Sequence, residues 1–148
     1  MSKRGCLDWL ELTVCVILYK YNNDKNGVAS DYEFLLIKRD NNQWAIPGGI
    51  GGSGVTDNLF NFAAYEVSYD TDFYLLPANL KQVKTVISDC GKKLVVFFSY
   101  DIGKYTTVYE DNLRGELFSL KQVIEMEKNG KIAFNNAEII KEFVLCSK

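Results

Sequence analysis

Residues 43–73 read QWAIPGGIGGSGVTDNLFNFAAYEVSYDTDF. A short apolar run, Trp44-Ala45-Ile46, is expected as a brief strand closed by Pro47, which has no N–H to give to a ladder. Glycines then crowd residues 48–54, a stretch expected as a strand-to-helix loop. From Asp57 to Thr71 the period changes: Leu59, Ala63 and Val67 recur at helical spacing, with Phe60 and Ala64 beside them. Thr56 or Asp57 is the expected N-cap. Phe62, Glu66 and Asp70 each lie four residues apart, so the two carboxylates share one helix face. A strand, a glycine-rich turn and an acid-bearing helix, in that order, can hold a divalent cation against a phosphate.

The flanking chain supplies a sheet and its cover. Residues 9–21 (WLELTVCVILYKY) are β-branched and aromatic and predict a strand, followed by a polar loop over 21–31. Residues 33–39 predict a second strand, 80–88 and 93–100 a hairpin around Asp89-Cys90-Gly91-Lys92, and 105–110 a weaker strand. The run KLVVFFSY reads as buried on both faces, with Phe97, Phe98 and Tyr100 in the core. Glu116-Leu117-Phe118 is short and extended. Ser119 caps an expected helix over 120–128 that ends at Asn129-Gly130. Asn135 or Asn136 caps a last helix over 137–146, whose apolar face is Ile139, Ile140, Phe143 and Val144. No repeat or linker interrupts the 148 residues, so a single α+β domain over 1–148 is expected.

Composition narrows the chemistry. A net charge of −2 gives no reason for general attraction to nucleic acid or anionic membrane, and no DNA-binding motif is seen. No apolar run approaches the roughly 20 residues that cross a bilayer. Acidic Asp8 and Glu11 interrupt any apolar signal segment near the start. Cys6, Cys15, Cys90 and Cys146 are scattered, which argues against a zinc site or a disulfide framework and for a reduced, cytoplasmic setting. The chain has no histidine. Imidazole catalysis is therefore excluded, and any acid–base or metal work rests mainly on carboxylates.

The stretch Trp44 to Phe73 resembles the signature of the Nudix hydrolase (MutT-like) superfamily, G-x5-E-x7-R-E-U-x-E-E-x-G-U with U a bulky apolar residue. The family commonly precedes this box with a basic strand end, a tryptophan and Pro-Gly-Gly, matched here by Lys38-Arg39, Trp44 and Pro47-Gly48-Gly49. Asp57 stands where the first glutamate would, after two extra loop residues. Glu66 matches the glutamate of the Arg-Glu pair, Asp70 the second of the Glu-Glu pair, and Val67 and Phe73 the apolar positions. The box is degenerate: Tyr65 replaces the arginine, Tyr69 the first glutamate of the pair, and Asp72 the glycine. The resemblance implies an α+β fold, an α/β/α sandwich with a mixed central sheet, the box helix on one side and the C-terminal helices packing around it.

The same resemblance implies one to three Mg²⁺ or Mn²⁺ ions that neutralise a pyrophosphate and position water. Gly49, Glu66, Asp70 and Glu110 are the expected metal ligands, with Glu66 and Asp70 as the catalytic pair. Asp101, Asp111 and Glu116 are further candidates for an acid from outside the box. Glu66 and Asp70 keep the i,i+4 pair, whereas Tyr69 removes the ligand between them, so a weak site is expected. Lys38 and Arg39 are candidate phosphate-steering groups, though basic residues at a strand end are often only exposed. Packing is the expected role of Tyr65 and Tyr69, with stacking on a nucleobase as the alternative. Asp57 is expected chiefly as an ordinary N-cap. Two functions stand: metal-dependent hydrolysis of a nucleoside diphosphate linked to another moiety, or a catalytically silent module that binds a nucleotide, an RNA end, another phosphate-containing small molecule or a protein.

Overall fold

Strand alternation sets the two faces of a seven-stranded mixed sheet. The computed structural model describes residues 11–23, 29–50, 58–71, 73–88, 91–105 and 114–146. Strand β1 (Glu11–Asn23) runs through the centre, parallel to β6 (Lys93–Asp101) on one edge and antiparallel to β2 (Ala29–Lys38) on the other. Strand β3 (Trp44–Ala45) and β7 (Glu116–Ser119) pair with β2, β4 (Gly48–Ile50) with β1, and β5 (Lys81–Ser88) with β6.

Val14, Val16 and Leu18 of β1 and Val96, Phe98 and Tyr100 of β6 point to one face. There they meet Ala63, Ala64 and Val67 of helix α1 (Leu59–Thr71), all buried. Ile17, Phe34 and Phe97 point to the other face, against Val123 of α3 (Leu120–Lys128) and Ile139, Ile140 and Val144 of α4 (Asn136–Cys146). This is the α/β/α sandwich, with α1 on one side and the two C-terminal helices on the other. Burial of these apolar side chains from both faces is the main source of its stability. Among the described residues no helix is long and apolar enough to cross a membrane.

Several local expectations change. Strand β1 continues to Asn23 and β2 begins at Ala29, so the intervening loop is shorter than 21–31. Gly48 and Gly49 belong to a strand rather than a loop: Thr13, Val14 and Cys15 face Ile50, Gly49 and Gly48. Gly48 lies so close to β1 that a Cβ there would collide with the Val14 carbonyl oxygen. Asn58 caps α1, its Oδ1 accepting from Asn61 N–H at 2.8 Å. Thr56 and Asp57 lie outside the described residues. Tyr105 ends the single helical turn α2 (Ile102–Tyr105) instead of opening a strand. Ser119 caps α3 as expected, completing a reciprocal capping box with Gln122. Asn136 does not cap α4 with its side chain, which reaches instead to Ile46, 90 residues earlier.

Candidate functional site

Two features meet at Gly49. The first is the acid face of α1. Burial of Ala63, Ala64, Val67 and Thr71 fixes the helix phase, which sets Glu66 half-buried at the sheet and Tyr65 outward. The C-terminal end of α1 is anchored by polar contacts: Thr71 Oγ donates to the Val67 carbonyl at 2.6 Å, and Leu75 N–H donates to Ser68 Oγ at 2.9 Å. With the helix so held, the Glu66 carboxylate lies directly over the backbone of β4. A Cβ on Gly49 would stand 2.6 Å from Glu66 Oε2, so only glycine leaves room for the carboxylate. Glu66 and Gly49, expected to share a metal, are indeed neighbours.

Electrostatics at the acid pair follow from crowding. Burial, and then the charge of Asp70, raise the pKa of Glu66. Burial also raises that of Asp70, opposed by the positive charge of Arg114. Arg114 carries no motif, and only the fold brings it near Asp70. Two partly desolvated carboxylates that repel each other are suited to a hard cation, and this donor set fits one. No group of three or more Cys, His, Asp or Glu with metal-binding geometry occurs among the described residues.

The other acids divide. Glu110 and Asp111 lie outside the described residues. Asp101 is occupied locally, its Oδ1 accepting from Lys104 N–H at 3.1 Å. Glu116 is exposed on β7, paired in register with Leu36. Tyr65 and Tyr69 do not pack: they are 69% and 71% exposed, on the helix face away from the buried alanines.

The second feature is a cleft of about 530 Å³ where β1 and β2 diverge. Its lining includes Ile37, Ile46, Val95 and Phe97 together with Gly48, Gly49, Arg39, Phe134 and Asn136. The size and apolar walls suit a small organic ligand. The two expected basic residues part company here. Arg39 lines the cleft, whereas Lys38 is exposed with its Nζ 6.0 Å from the Trp44 ring centroid. Cys15 also lines the cleft, but burial pushes its thiol up to about 12, so it stays protonated and is no nucleophile near neutral pH. Sequence reasoning missed Phe134 and Asn136. Neither lies in a recognisable motif, and only the chain path brings them beside Arg39.

Comparison with solved structures bears on this arrangement. The Nudix domain of Shewanella oneidensis NrtR, crystallised with ADP ribose, superposes with a TM-score of 0.67 at 18% identity, covering 100% of each chain. A MutT/nudix family protein from Enterococcus faecalis gives 0.57 at 21% identity over 80% of this chain and 51% of that one. The chain thus spans about half the length of the Enterococcus protein. The Ap4A hydrolase of Caenorhabditis elegans gives 0.60 at 13% identity over 94% and 99% of the two chains.

The chain has the Nudix fold.

At these identities the likeness is one of fold, and the low identity accords with a degenerate box. No protein-family model matches the sequence, and no curated protein matches it either. Within this fold Glu66 and Asp70 lie on α1, and Gly48 and Gly49 of β4 line the cleft.

Proposed function

We propose that this Nudix-fold chain is a Mg²⁺- or Mn²⁺-dependent pyrophosphohydrolase, weakened by its altered box, acting on a nucleoside diphosphate linked to a second moiety. The observation that carries the reading is the contact of Glu66 with Gly49, a residue that also lines the organic-sized cleft. Glu66 and Asp70 would hold the ion, with the Gly49 backbone beside them. Bound there, such an ion supplies charge neutralisation of the pyrophosphate and lowers the pKa of a coordinated water. The chain's own part is to fix the acids and shape the cleft. Capping by Asn58 and the Ser68–Leu75 bond hold α1 in phase, and the apolar walls keep water from the organic part of the ligand. A cytoplasmic setting belongs to the same reading.

A second reading is a nucleotide-binding module without turnover. It is favoured by Tyr69, which stands exposed one turn from Glu66 where a third carboxylate would complete the set. Binding of ADP ribose by the NrtR domain is consistent with either reading. Incubation with Mg²⁺ or Mn²⁺ and a panel of ADP-ribose, dinucleoside polyphosphates, oxidised dNTPs, coenzyme A and capped RNA separates the two. Phosphate-containing products that disappear in Glu66→Gln establish the hydrolase. Saturable binding without products establishes the module. Neither result in any arm would reject both.

A further inference from the structure

The sheet ends differently at its two edges. On one, β7 is four residues long and runs straight into α3, and Trp44 of β3 bridges to Ile132. On the other, β5 is eight residues long and pairs with β6, and among the described residues no strand pairs with its outer side. A row of unpaired backbone N–H and C=O groups is a template for another strand, and sheets blunt such edges with charge, bulges or a covering element. Strand β5 carries a bulge and two lysines, and neither device closes it. The bulge lies near its start, where Val83 is the extra residue between the Gln82–Phe98 and Lys84–Phe97 pairs, and residues 84–88 run in regular register against 93–97. Lys81 stands at the first position of the strand. Lys84 is neutralised by Glu142 of α4, whose two carboxylate oxygens accept from its Nζ at 2.6 and 2.7 Å.

The side chains left along this edge are apolar or neutral. Thr85 and Ile87 lie opposite Val96 and Leu94, on the sheet face that carries α1. Both are nevertheless exposed, Ile87 at 68%, and Val83 is 42% exposed, so α1 does not cover them. Gln82 Nε2 donates to Thr85 Oγ1 at 3.2 Å, which ties the bulge back to the regular run. Val83 and Ile87 stand two residues to either side of Thr85. If this strand pairs antiparallel with itself about Thr85, Val83 meets Ile87 of the second copy, and Ile87 meets its Val83. Directly opposite β-branched side chains are a favourable cross-strand pair. Lys84 falls opposite Val86 and diagonal to the second Lys84, and each lysine brings its own Glu142, so the charges around the axis balance. A strand whose exposed residues are symmetric about its own centre is matched by a second copy of itself, as a two-fold interface requires.

We propose that two copies of this chain associate through β5, residues 83–87 pairing antiparallel about a two-fold axis at Thr85 and joining the two sheets into one. Backbone hydrogen bonds set the register, and the Val83–Ile87 pairs supply the apolar contact. The open edge, the uncovered Val83 and Ile87 and the neutralised Lys84 are all accounted for by one interface. So short a pairing makes a small interface, and association at about 1–100 µM is expected. The inference is independent of the hydrolase reading, whose acids lie on α1.

The test uses charge at the axis. Sedimentation velocity of the unchanged chain over about 1–300 µM should show a monomer–dimer equilibrium, and amide exchange of residues 83–87 should slow as concentration rises. Thr85 is exposed, so the monomer tolerates a charged residue there. Thr85→Lys and Thr85→Glu should each weaken association about tenfold or more, because like charges meet across the axis. Mixed in equal amounts, the two variants should associate again, since one lysine then faces one glutamate. That rescue requires residue 85 to meet its own counterpart, and a variant that simply misfolds is not restored by mixing. The interface is overturned if the unchanged chain stays monomeric throughout the range, if either variant alone dimerises as tightly as the unchanged chain, or if mixing restores nothing.

Discussion

The Glu66 carboxylate rests against the α-carbon of Gly49, with 2.6 Å between its Oε2 and the place a Cβ would occupy. The neighbouring Gly48 is barred from a side chain by a different object, the carbonyl oxygen of Val14. A carboxylate at the end of a flexible side chain can swing away, whereas a paired β-strand cannot. Gly49→Ala should therefore fold with less than about 1 kcal/mol of loss and yet abolish ion binding and turnover, since Glu66 is displaced. Gly48→Ala should cost about 1–3 kcal/mol or more through overpacking against β1. Thermal melts of both variants, with Mn²⁺ relaxation titrations alongside, check the contrast. Equal destabilisation by the two would contradict it.

Glu66→Gln separates function from stability in the opposite direction. Glu66 is partly buried and shares a helix face with a second carboxylate at i,i+4, an arrangement that costs about 0.2–0.5 kcal/mol in a helix. Removing its charge should raise the melting temperature of the metal-free protein by about 1 °C for a domain of this size, while ion binding and any turnover are lost. A fall in melting temperature would mean that the carboxylate serves the fold.

How far the sequence carries depends on the range of the interaction. The sheet was legible because Val14, Val16 and Leu18 alternate with Cys15, Ile17 and Tyr19, and because Val95 to Tyr100 is apolar on both faces, as a central strand must be. Helix α3 was legible through Ser119 and Gln122, whose capping is local. The Glu66–Asp70 face followed from helical spacing alone. Strand β4 was not legible, since Gly48-Gly49-Ile50 has no alternation, and it is a strand only because glycine permits the close approach to β1. Asn58 could not be told from Asp57 as the cap, both being cap-forming residues in adjacent positions. Tyr65 and Tyr69 look like packing residues until the helix phase, set by Ala63, Ala64 and Val67, turns them outward. Arg114, Phe134 and Asn136 reach the site through long-range chain path, which no local pattern encodes.

The raised carboxylates fix the sign of the pH dependence. The folded pKa values of Glu66 and Asp70 lie above their ordinary ones, chiefly through burial, so the metal-free native state holds protons that the unfolded chain has released. The contribution of these two groups to its stability is therefore greatest below the ordinary carboxylate range and is lost as pH rises through the raised values. An ion competes with those same protons. The melting-temperature gain from Mn²⁺ should be absent at about pH 4 and grow on the way to about pH 8, with a midpoint above that of an exposed carboxylate. Paired melts with and without Mn²⁺ across that range test this, and a gain already complete at acid pH would refute it.

Arg114 should set the strength of ion binding from outside the acid pair. Its charge lowers the pKa of Asp70 against the effect of burial, and a positive charge close enough to do so also repels a cation. Arg114→Ala should tighten Mn²⁺ binding near neutral pH by about two- to fivefold, the range of an exposed charge interaction. It should at the same time move the pH midpoint of binding upward, because Asp70 loses the charge that kept its pKa down. The two shifts together identify the mechanism, since simple loss of structure would weaken binding at every pH.

Tyr69 offers the converse experiment, a gain rather than a loss. It lies three residues after Glu66 and one before Asp70 on α1, and at 71% exposure its ring contributes little to the core. Tyr69→Glu should therefore fold with a change within about 0.5 kcal/mol, while adding a third hard oxygen ligand to a set now limited to two carboxylates. The added charge should tighten Mn²⁺ by about tenfold or more and raise any hydrolysis of the substrate panel in proportion to ion occupancy at subsaturating metal. Saturating Mn²⁺ distinguishes occupancy from chemistry: if the rate gain vanishes there, Tyr69 limits only how well the ion is held. If ion affinity does not respond at all, Glu66 and Asp70 are not the residues that hold it.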